Sequence, residues 1–158
     1  MLLLIYRYLS NLFFIPILFF FLLRLLVSKE TISSILEKFS ISRKKRPNGD
    51  LIWINGVSVG ESKTGIAVAR EIKKIKPKSS ILFSTSTLSA YNLLSKSKNN
   101  FVVIFSPIDI NFLIKRFLKY WNPSSVIFIE SEIWPNIFNI LKEKSIKLTI
   151  LNARISNK

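Results

Sequence analysis

Residues 51–75 read LIWINGVSVGESKTGIAVAREIKKI, and the change of pattern within them decides the fold. Leu51, Ile52, Trp53 and Ile54 form an unbroken apolar run of strand length, as a strand buried on both faces requires. Asn55-Gly56-Val57-Ser58-Val59-Gly60-Glu61-Ser62 follows, with two glycines that let the backbone turn tightly and approach a ligand. From Ser62 to Ile75 the apolar residues recur at helical spacing. The unit is strand, glycine-bearing turn, helix.

Working outward, the same unit repeats. Apolar runs of strand length recur at 81–83, 101–105, 126–129 and 148–151, and helical-period segments at 88–96, 110–120 and 134–144. Strands alternating with helices predict right-handed crossovers and an α/β fold, a Rossmann-like parallel sheet with flanking helices over 51–158. Residues 28–50 read as a basic linker with one short amphipathic helix near 32–39, ending in Arg43-Lys44-Lys45-Arg46 and the turn-forming Pro47-Asn48-Gly49-Asp50. The sequence stops just after the fifth strand, with no helix to cover it. It is therefore expected to be one part of something larger.

Residues 2–27 are almost wholly apolar, with Arg7 and Arg24 near the two ends and Pro16 between them. A helix needs ~20 apolar residues to cross a bilayer, and no small-residue cleavage site follows this one. Residues 1–27 are thus expected to form a retained membrane anchor helix, with Pro16 as the point where it would kink, either spanning or lying in the interface with its arginines at the head groups. The basic residues after it place the following domain on the cytoplasmic side.

The 24 Lys and Arg against 9 Asp and Glu give a net charge of +15, which suits an anionic partner such as a membrane surface, a phosphorylated lipid or a nucleic acid. A compositional lysine bias accounts for the charge equally well. The lysines are scattered and form no stripe, which argues against nucleic acid. The chain has no Cys and no His. Disulfides, thiolate chemistry and imidazole bases are excluded, so any catalysis rests on carboxylates, Lys, Arg or hydroxyls.

Open α/β sheets bind ligands beyond the carboxyl ends of their strands. Of the 9 acidic residues, Glu61, Asp109, Glu130 and Glu132 fall just beyond a strand. The same rim collects Ser84-Thr85-Ser86-Thr87, Asn152 and Arg154. Glu61 is either a helix-start acid favoured by the macrodipole or a general base. The loop Glu130-Ser131-Glu132-Ile133-Trp134-Pro135-Asn136 places two carboxylates at i and i+2, for capping or for supporting a cationic transition state, with Pro135 suited to a first helical turn. The hydroxyl run caps a helix or binds a phosphate or sugar, and Asp109 reads as the N-cap of its own following helix. The glycines do not make G-x-G-x-x-G, so a dinucleotide site is not supported.

In this order, the pieces resemble the N-terminal domain of the 3-deoxy-manno-octulosonic acid (Kdo) transferase family. The resemblance rests on the apolar N-terminus, Val57-Ser58-Val59-Gly60-Glu61, Ser84-Thr85-Ser86-Thr87, Pro107-Ile108-Asp109, the Glu130 to Asn136 loop and Asn152-Ala153-Arg154-Ile155-Ser156. It implies the acceptor-side half of a two-domain GT-B glycosyltransferase that uses CMP-Kdo without a catalytic metal or other cofactor. The acceptor it implies is the lipid A precursor, met at the cytoplasmic face of the bacterial inner membrane in lipopolysaccharide biosynthesis. By position Glu61 matches the family's proton acceptor and Glu130 a second carboxylate. Ser58, Gly60, Ser84, Thr85, Glu132, Asn152 and Arg154 fall in the matching motifs as candidate substrate-binding residues. CMP-Kdo would be held by a C-terminal domain that these residues do not include. Asn55-Gly56 stands where the family usually has His-Ala or His-Ser, which removes any role there for a cationic side chain. A membrane-tethered module that binds an anionic lipid or nucleotide without catalysis is the alternative.

Overall fold

The computed structural model describes residues 2–97, 100–129 and 133–151. Among these residues five strands, β1 (Leu51–Asn55), β2 (Ser80–Thr85), β3 (Val102–Phe105), β4 (Ser125–Ile129) and β5 (Lys147–Leu151), form one sheet in the order β3-β2-β1-β4-β5. All four pairings are parallel. Among the described residues seven helices accompany them: α1 (Leu2–Leu12), α2 (Phe14–Leu26), α3 (Ile32–Lys38), α4 (Val59–Ile75), α5 (Leu88–Lys96), α6 (Asn111–Trp121) and α7 (Pro135–Glu143). The expected Rossmann-like α/β architecture is the observed one.

Alternate residues of a strand face opposite sides of the sheet. Leu51 and Trp53 of β1 accordingly pack with Phe117 and Trp121 of α6 and Ile140 of α7. Ile52 and Ile54 pack the other way, with Ala69 of α4 and Leu94 of α5. Both faces are covered, so β1 is buried at every position, and its sequence shows no polar alternation. Gly65 marks the tightest approach of α4 to the sheet. A Cβ there would stand 2.4 Å from the tip of the Phe83 ring and 3.4 Å from Ile54, and Phe83 has no exposed surface to swing into. Overpacking of this kind costs about 1–3 kcal/mol, against about 1 kcal/mol gained from helix propensity. With a contact as close as 2.4 Å the cost falls in the upper part of that range, so Gly65→Ala is expected to lower the urea midpoint, by about 1–2 kcal/mol of stability; an unchanged or higher midpoint would contradict this packing.

Residues 28–50 are more than a linker. Thr31 opens α3 with a capping box, its hydroxyl accepting from the Ser34 N–H and the Ser34 hydroxyl accepting from its own. Helix α3 then lies along the edge strand β3. Glu37 Oε2 accepts from the Phe105 N–H at 2.9 Å, and Lys44 Nζ donates to the Val103 carbonyl. An acid and a base, 3.3 Å apart, thus satisfy the free edge of the sheet, which would otherwise template pairing with another chain. Arg46 likewise folds down, its Nε donating to the Trp121 carbonyl at 2.7 Å.

The single anchor helix expected over 1–27 is not what forms. The segment is two helices bent by 50° at a break around Phe13, and no single helix among the described residues is long and apolar enough to cross a membrane. Pro16 supplies the physical cause. It has no N–H to give the Leu12 carbonyl, and its ring crowds that carbonyl, so the helix breaks one turn earlier and Pro16 sits harmlessly in the first turn of α2. One side of α2 packs on Phe39 and Leu113 through Phe14, Leu18 and Phe21. The opposite side is open: Ile15, Phe19 and Leu26 are 73%, 61% and 80% exposed.

Candidate functional site

The turn after β1 is built around Glu61. Ser58 is the N-cap of α4, its hydroxyl accepting from the Glu61 N–H at 3.3 Å. Glu61 reaches back, and its Oε2 accepts from the Val57 N–H at 2.7 Å. The reciprocal pair satisfies two donors that a helix start leaves open. Gly56 is closely packed, since a Cβ would stand 3.2 Å from the Glu61 carbonyl carbon and the start of α4 would have to give by a few tenths of an ångström. Gly60 is under no such constraint: nothing but the Ser58 hydroxyl lies near. Glu61 is only 7% exposed, and its second oxygen takes no hydrogen bond among the described residues. One carboxylate oxygen is fixed to the backbone and the other is left over.

Ser84 and Thr85 lie deeper than a substrate-binding role requires, both with no exposed surface. The Ser84 hydroxyl accepts from Trp53 Nε1 and donates to Asn55 Oδ1, each at 2.7 Å. Asn55 Oδ1 also accepts from the Ser106 hydroxyl at 2.6 Å. This buried chain of Trp53, Ser84, Asn55 and Ser106 knits the carboxyl ends of β1, β2 and β3 together. It gives Asn55 a structural acceptor role. Thr85 donates to the Val57 carbonyl at 3.0 Å and so steadies the same turn. Both hydroxyls hold the rim in shape from within. Ser86 and Thr87 are the accessible members of the run, with Thr87 capping α5.

Asp109 does not cap its own helix: the N-cap of α6 is Ile110, and it makes no side-chain cap. Its carboxylate crosses to the start of α7 instead, accepting from the N–H groups of Asn136 and Ile137 at 3.0 and 2.9 Å and from the Tyr6 hydroxyl at 2.9 Å. Trp134 is the N-cap residue of α7 and has no side-chain oxygen to offer, while Pro135 opens the helix as its sequence suggests. Asp109 fills that vacancy and ties α1 to the rim. Burial nevertheless pushes its carboxyl above the ordinary aspartate value, against the lowering effect of the three donors.

These parts border a cleft of about 690 Å³ between the α1–α2 pair and the carboxyl rim. Its wall is largely apolar, through residues such as Ile17, Phe21, Ile108 and Trp134, with Ser86 and Asp109 on the rim side. Glu61 is not part of the wall; it is linked to the wall through Val57, whose N–H donates to it and whose carbonyl accepts from the N–H of the wall residue Ser86 at 3.3 Å. Sequence reasoning missed a cluster on the helix side, Arg24, Glu30 and Lys38, which also lines the cleft. Its signal was a lone arginine in an apolar run and an acid and a base eight residues apart. Glu130, Glu132, Asn152 and Arg154 lie outside the described residues. No cluster of ligating side chains that could hold a metal ion occurs among the described residues.

A five-stranded parallel sheet with helices on both faces and a cleft at its carboxyl rim defines a Rossmann-like domain. The family can be stated more closely. Residues 33–158 match the family model described as 3-deoxy-D-manno-octulosonic-acid transferase (kdotransferase), and the chain belongs to that family. It is 38% identical over 126 residues to the probable mitochondrial 3-deoxy-D-manno-octulosonic acid transferase of Arabidopsis thaliana, covering 77% of this chain and 28% of that one. It is 37% identical over 156 residues to the 3-deoxy-D-manno-octulosonic acid transferase of Rickettsia bellii, covering 98% of this chain and 37% of that one. The Haemophilus influenzae 3-deoxy-D-manno-octulosonic acid transferase is 32% identical over 106 residues, 66% of this chain and 25% of its own. The chain therefore spans roughly a quarter to just over a third of the length of these relatives.

Proposed function

We propose that this domain is the acceptor-binding part of a glycosyltransferase that moves Kdo from CMP-Kdo to the lipid A precursor in lipopolysaccharide biosynthesis. The observation that carries the reading is the Val57 to Glu61 turn, in which a carboxylate is fixed at the carboxyl end of β1, beside an apolar cleft, with one oxygen uncommitted. Glu61 takes the proton from the acceptor hydroxyl as its oxygen forms a bond to the anomeric carbon of Kdo, and CMP leaves with the electron pair of the broken bond. Glu130 supports the charge that develops. Ser58, Gly60, Glu132, Asn152 and Arg154 contact the substrates, while Ser84 and Thr85 shape the turn from behind. CMP-Kdo is held by residues of a partner domain such as the longer relatives have room for, and no metal takes part. The test is transfer of Kdo by a chimera that joins this chain in frame to the remaining part of the Rickettsia bellii relative. Transfer dependent on Glu61 supports the reading; binding of acceptor without transfer favours a non-catalytic lipid-binding module.

The bent helix pair is the membrane contact in this proposal, lying in the interface at the cytoplasmic face of the inner membrane, with the exposed side of α2 among the acyl chains. Its exposed apolar residues and the net charge of +15 suit an anionic bilayer surface. Ile15→Glu combined with Leu26→Glu is expected to weaken sedimentation with phosphatidylglycerol vesicles by about tenfold or more without changing the melting temperature. Undiminished sedimentation would remove α2 from the contact.

A further inference from the structure

A buried chain of hydrogen bonds has a direction, and at the carboxyl rim one indole sets it. Trp53 Nε1 can only donate, and it donates to Ser84 Oγ at 2.7 Å. Ser84 passes its own proton to Asn55 at 2.7 Å, and Ser106 gives a second to the same atom at 2.6 Å. An atom that takes two hydroxyl protons is the amide oxygen, because the amide nitrogen is a donor only. The Asn55 side chain is therefore locked in one of its two flips. Its oxygen is held by both serines, and its NH2 is turned away from them.

Both ends of this arrangement keep something to offer. Asn55 is 2% exposed, and its Nδ2 donates no hydrogen bond among the described residues. This nitrogen is not one of the sealed polar atoms that lack a partner, so part of the residual surface of Asn55 lies there. Ser106 lines the cleft. Its proton is committed to Asn55, so only its lone pairs remain for a ligand. By the alternation of a strand, Asn55 lies on the Trp53 face of β1, the face against which Trp134 of the cleft wall also packs. A fixed donor and a fixed acceptor thus stand together at one place on the rim.

We propose that Asn55 and Ser106 are specificity-determining residues that select a hydroxyl: the Asn55 NH2 donates to its oxygen, and the Ser106 oxygen accepts its proton. A ligand group that must accept and donate at once is a hydroxyl, whereas an ionised phosphate or an ether oxygen only accepts. On the function proposed above, on which this inference rests, the group is a sugar hydroxyl of the acceptor other than the one Glu61 deprotonates. Holding it fixes the orientation of the ring at the rim. The proton of the reaction does not pass through either residue.

The experiment is calorimetric titration of the full chain with an acylated, phosphorylated glucosamine disaccharide at about pH 8 and about pH 5, with the fold of each variant checked by circular dichroism. Asn55→Asp keeps an oxygen for both serines but loses the NH2, so that one ligand proton faces two acceptors. It is expected to weaken binding by about tenfold or more at the higher pH. At the lower pH burial favours the protonated carboxyl, which donates again, and the gap from wild type is expected to narrow by about threefold or more. A variant that only loosened the rim would keep its deficit. Ser106→Ala leaves Asn55 held by Ser84 and is expected to cost about fivefold or more at both pH values; it decides the matter should Asn55→Asp fail to fold. Wild-type affinity in either folded variant, or an Asn55→Asp deficit that does not change with pH, would overturn this inference alone. No binding by the wild-type chain would instead sink the acceptor reading, and this inference with it.

Discussion

In the chimera with the Rickettsia bellii relative, Glu61→Gln is expected to lower Kdo transfer by about 100-fold or more if Glu61 is the general base proposed above, within the range that a positioned general base contributes. The same substitution is expected to leave the fold intact. The Gln carbonyl can still accept from the Val57 N–H as Glu61 Oε2 does at 2.7 Å, so the lock on the turn survives while the proton acceptor is lost. Glu61→Ala removes both, and it should lose transfer and also about 0.5–2 kcal/mol of stability, the usual worth of a helix-start interaction. The pair separates the two roles. If Glu61 served only the start of α4, Glu61→Gln would turn over at nearly the wild-type rate and Glu61→Ala would be impaired only through stability.

Asp109→Ala is expected to be the most destabilising of the substitutions considered, at about 2–4 kcal/mol. It strands the N–H groups of Asn136 and Ile137 and the Tyr6 hydroxyl at once. Urea unfolding should show the loss, and limited proteolysis should cut the α1–α2 segment faster, since the Tyr6 bond is one of the ties between α1 and the rim. A loss below about 0.5 kcal/mol would mean that water replaces the carboxylate at the α7 terminus. The charge has a direction too. Burial raises the Asp109 carboxyl above its unfolded value, so the folded state binds the proton more readily than the unfolded one. The stability linked to that group is present below the unfolded value, near 3.8, and lost as pH rises through the folded one. The stability advantage of wild type over Asp109→Asn should therefore shrink from acid toward neutral pH. A growing advantage would reverse the assignment.

The strands and helices of the sheet were legible because burial on both faces leaves its mark on sequence. Runs such as Leu51 to Ile54 carry no polar residue, and the α4 and α6 segments repeat at helical spacing. The single continuous helix was misread for a local reason: hydropathy over residues 2–27 is unbroken, while Pro16, expected at most to kink the helix, breaks it by acting on the carbonyl four residues before it. The Asp109 contact was hidden for a different reason. A Pro-x-Asp just before a helix looks like a cap for that helix, and only the juxtaposition of two loops on one rim reveals that a second helix, begun by Trp134 and Pro135, lacks a cap of its own. Ser84 shows the same limit. A hydroxyl at a strand end reads as rim chemistry, yet whether it points to solvent or into the Asn55 network depends on neighbours distant in sequence. The cluster of Arg24, Glu30 and Lys38 required α2 to fold back on α3, which no reading of a straight anchor would suggest.

The central claim is that the acceptor binds at the carboxyl rim, in the cleft beside Glu61. Hydrogen exchange of the chain with and without an acylated, phosphorylated glucosamine disaccharide tests it most directly. Slowed exchange confined to residues 57–61, 86 and 106–110 and to the facing side of α2 is the outcome this account predicts. Protection at the opposite end of the sheet, around Asp50, Ser124 and Lys147, with none at the Val57 to Glu61 turn, would contradict it.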